Sequence, residues 1–280
     1  MKLVRYGERG AEKPGLLHVD GTIRDLSRVV RDIDGKALSD EGLSKLFWTD
    51  AGKLPIIPEG VRLGAPVAGV GKLIAIGLNY ADHAEEAGLT VPPEPVVFMK
   101  ATSAICGPDD DVEAPRGSEK LDWEVELAFV IGTRAKYVTL EDAMDHVAGY
   151  MICNDVSERS FQIERSGQWV KGKSHDTFAP LGPWLVTKDE IKDPQALDLW
   201  LNVNGVRRQT GTTATMVYGV AFLVHYLSQF MTLEPGDIIT TGTPPGVGMG
   251  SRPPKFLHAG DVIELGITGL GSQRQVVVQA

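Results

Sequence analysis

The run Leu121-Asp122-Trp123-Glu124-Val125-Glu126-Leu127-Ala128-Phe129-Val130 carries two carboxylates two positions apart and then turns wholly apolar. Strand side chains repeat with a period of two, so Glu124 and Glu126 are predicted on one face. Like charges that close repel and desolvate badly, and they call for solvent or a cation between them. A wet strand face meets that demand as simply as a metal does. A third carboxylate shifts the balance. Asp155 ends the apolar stretch Ala148-Gly149-Tyr150-Met151-Ile152-Cys153-Asn154 just before a predicted helix, where its plain alternative is a helix N-cap. Three hard oxygen donors with no cysteine or clustered histidine favour Mg²⁺, Mn²⁺ or Ca²⁺ over zinc.

A second constellation is Gly77-Leu78-Asn79-Tyr80-Ala81-Asp82-His83-Ala84-Glu85-Glu86. On a helix, His83 and Glu86 stand at i, i+3, where the carboxylate can orient the imidazole and raise its basicity for activating a water. An ordinary amphipathic surface helix would carry the same charges. Lys100 follows Val96-Val97-Phe98-Met99, and Lys173 lies in Trp169-Val170-Lys171-Gly172-Lys173-Ser174. A lysine at the end of a buried strand calls for an anion unless it snorkels to the surface. The loop Thr240-Thr241-Gly242-Thr243-Pro244-Pro245-Gly246-Val247-Gly248 offers backbone N–H groups and small hydroxyls that could cup a carboxylate. It lacks the lysine and the helix signal of a phosphate loop.

These residues need strands to hold them. Strands are predicted at Lys72 to Gly77, Val96 to Lys100, Trp123 to Ile131, Trp184 to Thr187, Leu199 to Val203, Asp237 to Thr241, Asp261 to Leu265 and Arg274 to Val278, with Asn204-Gly205 as a two-residue hairpin turn. Helices are fewer: Leu140 to Asp145, Ser157 to Arg165, Tyr218 to Met231, and a short one ending near Ala87 with Gly88 as its cap. With 32 glycines and 17 prolines among short strands, a curled mixed sheet with peripheral helices fits better than a doubly wound fold. Residues 1–65 read as a small N-terminal α+β domain, with a strand at Lys2 to Tyr6, a strand pair around Gly15 to Asp25, and helical segments at Arg28 to Asp34 and Asp40 to Thr49. Pro55, Pro58, Gly60, Gly64 and Pro66 mark a linker, and 70–280 form the larger domain.

A net charge of −9 without basic runs argues against nucleic acid as partner. No stretch is long and apolar enough for a secretory signal or a membrane span, and two widely separated cysteines suit a reducing compartment, so a cytoplasmic protein is expected.

In chain order, Asn79-Tyr80-x-x-His83-x-x-Glu86, Phe98-Met99-Lys100, Asp122-Trp123-Glu124-Val125-Glu126-Leu127-Ala128, Asn154-Asp155-Val156-Ser157-x-Arg159, Lys173-Ser174 and Thr241-Gly242-Thr243-Pro244-x-Gly246-Val247-Gly248 resemble the fumarylacetoacetate hydrolase family from about residue 70 onward. The resemblance implies a mixed α/β, β-rich chain with a β-roll catalytic domain, a homodimer or higher homo-oligomer, and Mg²⁺ or Mn²⁺ held by Glu124, Glu126 and Asp155. It implies His83 and Glu86 as the catalytic dyad, Lys173 as the active-site lysine, and Tyr80, Lys100, Arg159, Gln162 and Thr243 around the substrate. Within the family, the stretch Gly167 to Thr177 and the N-terminal Lys2 to Gly7 look most like 2,4-diketo-3-deoxy-L-rhamnonate or -fuconate hydrolases, whose relatives are often labelled ureidoglycolate lyase. The activity implied is cleavage of a diketo acid to pyruvate and a hydroxy acid such as L-lactate. Oxaloacetate decarboxylation and isomerisation of a 2-hydroxydienedioate share the same pyruvyl enolate and are the nearest alternatives. A non-catalytic β-rich module with a structural cation would leave the dyad and the lysines without a role.

Overall fold

The computed structural model describes residues 1–86 and 92–280, with side chains at all of these except 83–85. Two strands, Val125–Ile131 and Val147–Asn154, are buried at every position, which their continuous apolar sequence requires of strands covered on both faces. They pair antiparallel from Val125↔Asn154 to Phe129↔Tyr150 and form the middle of a sheet that, among the described residues, has nine strands in one path and two short ones beside it, Leu63–Gly64 on Lys2–Tyr6 and Ile105–Cys106 on Ala179–Thr187. Beyond Val147–Asn154 lie Ala179–Thr187, Lys2–Tyr6, Lys13–Leu17 and Ile23–Asp25; beyond Val125–Ile131 lie Ile238–Thr240, Leu73–Gly77 and Val96–Lys100. Ile238–Thr240 runs parallel to Leu73–Gly77, and every other neighbour along this path is antiparallel.

A second sheet, ordered Val206–Thr212, Asp198–Val203, Val262–Ile267, Gly271–Gln279 and Val112–Ala114, packs across the central strands. Its strands alternate buried and exposed residues, as Asp198–Val203 and Gly271–Gln279 show, because only one of their faces meets the core. The Asn204-Gly205 turn has φ of 51° and 72°, the left-handed pair that a tight hairpin demands. The chain is thus mixed α/β and β-rich. No helix among the described residues is long and apolar enough to cross a membrane.

The N-terminal segment adds its strands to the main sheet. Lys2 and Leu3 pair with Val186 and Leu185, and Leu3, Leu26, Ile33 and Leu38 belong to the same apolar core as Phe129 and Ile152.

Several predicted elements differ. Arg28 to Asp34 forms turns instead of a helix, because Asp32 takes the Arg5 guanidinium and the N–H of Ile33, and Asp34 accepts from the N–H groups of Lys36 and Ala37. Asp40–Phe47 is helical, with Ser39 capping Gly42 N–H. Leu140 to Asp145 yields only a 3₁₀ turn at Ala143–His146. The predicted helix from Ser157 divides: Ser157–Glu158 pairs with Leu121–Asp122, and the helix is Arg159–Ile163, capped by Glu158. The helix Ala81–Glu86 carries the dyad positions, but the proposed cap at Gly88 lies outside the described residues, as does the His83 side chain.

Candidate active site

Glu126 lies one residue into the strand Val125–Ile131, Glu124 just ahead of it, and Asp155 just past the paired strand Val147–Asn154. The antiparallel register therefore brings the three acids to one end of the sheet. Asp155 N–H donates to the Glu124 carbonyl at 2.9 Å, which fixes the corner. Carboxylate oxygens of Glu124, Glu126 and Asp155 lie within 4.8 Å of one another, all three side chains buried. Burial pushes the Glu126 carboxyl well above the ordinary carboxylate range, and the charges of Asp155 and Glu124 add to this. Such a set of hard oxygen donors fits a divalent cation.

Cations already surround the acids. Lys173 Nζ donates to Glu124 Oε2 and Asp155 Oδ2, both at 2.7 Å. Lys100 Nζ donates to Asp155 Oδ1 and, at 3.1 Å, to the Val156 carbonyl. Arg159 donates through Nη2 to Glu124 Oε1 at 2.6 Å, through Nε to Asp122 Oδ2 at 2.9 Å and through Nη1 to Gln162 Oε1 at 3.1 Å. Burial alone would lower both lysines. It prevails at Lys100, whereas at Lys173 the charges of Asp155 and Glu124 outweigh it and raise the ammonium. Glu126 forms no lysine or arginine pair among the described residues; it accepts from Gly242 N–H at 2.9 Å.

A cavity of about 100 Å³ opens onto this cluster. Glu124, Glu126, Asp155, Arg159, Gln162, Lys173 and Thr243 all line it. Tyr80 and Lys100 do not. Lys100 stands behind Asp155, and the Tyr80 hydroxyl is buried without a hydrogen-bond partner among the described residues, its ionisation suppressed by burial and by the charges of Glu126 and Asp82. Glu86 accepts from Gly246 N–H at 3.0 Å and borders an adjoining cavity that shares Met249 with the first.

Three positioning groups were not legible as such. Asp122 accepts from Gly248 N–H and Met249 N–H while holding Arg159, so it ties the glycine loop to the acidic strand. Asn154 Oδ1 accepts from Glu124 N–H at 3.2 Å, and Gln209 Oε1 accepts from Val125 N–H at 3.0 Å. These side chains serve backbone donors at the break that stops the predicted Trp123 to Ile131 strand from starting before Val125. Gln209 also donates to Thr243 Oγ1 and the Pro244 carbonyl at 2.8 Å. Gln209 is the one buried residue of the mostly polar strand Val206–Thr212, whose other residues are exposed or half-buried, and no sequence pattern singles it out. Gln209→Leu is expected to weaken divalent-cation binding about tenfold, the usual scale for losing a group that orients a ligand, and to cost about 1–3 kcal/mol for the orphaned Val125 donor. Calorimetric titration with Mn²⁺ and thermal melts check both.

The family described as fumarylacetoacetate (FAA) hydrolase C-terminal matches residues 72–278. A protein from Burkholderia ambifaria named putative hydrolase is 62% identical over 276 residues, covering 98% of each chain. A fumarylacetoacetate hydrolase from Exiguobacterium antarcticum superposes with a TM-score of 0.89 at 38% identity, covering 100% of both chains. Maleylpyruvate hydrolase from Sphingobium sp. SYK-6, solved with manganese(II) and pyruvate, superposes with a TM-score of 0.84 at 32% identity, again over 100% of both chains.

Proposed function

Because the chain belongs to the fumarylacetoacetate hydrolase family, we propose that it hydrolyses a carbon–carbon bond of a 2,4-dioxo acid to release pyruvate and a second acid. The substrate we assign is a 2,4-diketo-3-deoxy sugar acid, and the second product a hydroxy acid such as L-lactate. One observation carries this reading: three buried carboxylates within 4.8 Å of one another line a cavity together with Lys173 and Arg159. The manganese and pyruvate in the Sphingobium relative support it.

Glu124, Glu126 and Asp155 would hold the cation, Mg²⁺ or Mn²⁺. Bound there, it supplies Lewis acidity toward the 2-oxo acid. The remaining steps fall to the protein. Arg159 donates to the Gln162 oxygen, which leaves the Gln162 amide NH₂ and the Thr243 loop to hold the substrate carboxylate. His83, oriented by Glu86, takes a proton from the water that adds to the C4 carbonyl. Glu86 is anchored for this task by Gly246 N–H. The C3–C4 bond then breaks toward C3, and Lys173 delivers the proton that completes the pyruvate methyl group. Tyr80 and Lys100 support the site from behind its lining. A homodimer in the cytoplasm completes the assignment.

The test is turnover of a panel of 2,4-dioxo acids, with oxaloacetate beside them, in Mg²⁺ or Mn²⁺, following pyruvate, the second acid and carbon dioxide together. One pyruvate per substrate, abolished by chelation, is expected. Carbon dioxide in place of the second acid replaces the hydrolase with a decarboxylase. Within the dyad, His83→Ala is expected to lower kcat about 10²–10⁴-fold, the usual range for a general base, while metal and oxalate still bind by calorimetry. An unchanged kcat removes His83 from the reaction.

A further inference from the structure

The lining of the cavity divides by chemistry. Beside the acids and their cations stand Ile76, Leu78, Phe98, Ile163, Trp169 and Met249. The Phe98 and Trp169 rings meet edge to face with centroids 5.2 Å apart at 65°. Trp169 can sit there because residue 77 is glycine: a Cβ at Gly77 would lie 2.6 Å from Cζ3 of the indole. Leu78 holds a φ of 54°, a conformation that a bulky residue adopts only under constraint, and it too faces the cavity lining. Among the described lining residues the only cations are Lys173 and Arg159, and both are already paired with buried carboxylates. A substrate with a second carboxylate would bring it beside three acids and an apolar wall, and among the described residues no unpaired lysine or arginine lines this cavity, Arg252 lining the adjoining one instead.

We propose that this site selects 2-oxo acids whose far end is apolar and uncharged, and that Trp169, seated over Gly77 and against Phe98, makes the selection. This rests on the reading above that the cavity is the substrate site, and it narrows that reading. Among deoxy sugar acids it favours those that end in a methyl group, and it disfavours acyl tails that end in a carboxylate.

The experiment is calorimetric binding to the Mn²⁺-loaded protein, which needs no turnover, with pyruvate, 2-oxohexanoate and 2-oxoadipate as probes. The last two have equal length and differ only in a terminal methyl against a carboxylate. A fully buried methylene strengthens binding about fourfold, so 2-oxohexanoate should bind at least about tenfold tighter than pyruvate, and 2-oxoadipate at least about tenfold weaker than 2-oxohexanoate. Trp169→Ala should bring 2-oxohexanoate to within about threefold of pyruvate, while Trp169→Phe keeps the preference. Gly77→Ala, which displaces the indole, should behave like Trp169→Ala. Binding of 2-oxoadipate as tight as that of 2-oxohexanoate overturns the proposal, as does a preference that survives Trp169→Ala. If this order of affinities holds while no dioxo acid is hydrolysed, the selectivity stands and the assigned reaction falls; hydrolysis with the order reversed overturns the selectivity alone.

Discussion

Glu124→Gln is expected to abolish turnover and to weaken Mn²⁺ binding by more than the roughly 10–100-fold that follows loss of a group outside the ligand set, with the fold retained. The choice of glutamine follows from what else Glu124 does. Its two oxygens accept from Arg159 at 2.6 Å and from Lys173 at 2.7 Å, and both donors are buried. Glutamine keeps an oxygen among these donors and removes the charge that a divalent cation needs. Alanine removes the oxygens altogether and leaves two buried cations short of a partner, a loss of about 3–5 kcal/mol when such a pair is broken. Glu124→Ala should therefore melt early as well as fail to bind metal, and only the glutamine variant separates the two effects. Calorimetry, thermal melts and pyruvate release on the same preparations decide it. Full turnover by metal-free Glu124→Gln protein would falsify the metal assignment.

Lys173→Met gives the second large effect, with the opposite sign on metal. The lysine stem packs within reach of Phe98, its Nζ 5.2 Å from the ring centroid, so an unbranched apolar side chain fits the space. Asp155 keeps Lys100, and Glu124 keeps Arg159. The change removes one positive charge from beside two of the three acids, so the affinity for Mn²⁺ should hold or rise, since like charges close together disfavour each other. Turnover should nevertheless fall about 10²–10⁴-fold, because the proton donor is gone. A counter-ion with no chemical part predicts a different pattern, in which kcat recovers once the variant is saturated with metal. Steady-state rates at saturating Mn²⁺ beside a binding isotherm distinguish them, and a kcat within threefold of the parent would remove Lys173 from the chemistry.

How much of this could be read from the chain depends on range. Glu124, Glu126 and Asp155 are legible only as a set: a Glu-x-Glu face alone suits solvent as well as a cation, and it is the acid that ends a second apolar stretch that turns the three toward a hard-cation site. The hairpin at Asn204-Gly205 was legible because its conformation is local. Arg28 to Asp34 turns instead of forming a helix because its acids compete for nearby backbone N–H groups, Asp32 for that of Ile33 and Asp34 for those of Lys36 and Ala37, and because Arg5 reaches Asp32 from the strand Lys2–Tyr6. The positioning roles of Asp122, Asn154 and Gln209 are not legible in the chain because the partner of each arrives from a distant segment, the Gly248 loop for Asp122 and the broken strand before Val125 for the two amides. The union of the N-terminal strand with Ala179–Thr187 is likewise set by a partner far along the chain.

The position of Lys173 between Glu124 and Asp155 has a thermodynamic consequence. An ammonium that already bridges two of the acids keeps them gathered and partly neutralised before any divalent ion arrives, so the carboxylates need not be assembled from a scattered state. Metal uptake in such a pocket resembles exchange of one counter-charge for another more than coupled folding. Its signature would be a small heat-capacity change and a modest gain in melting temperature, in contrast to domains whose structure forms only around their ion.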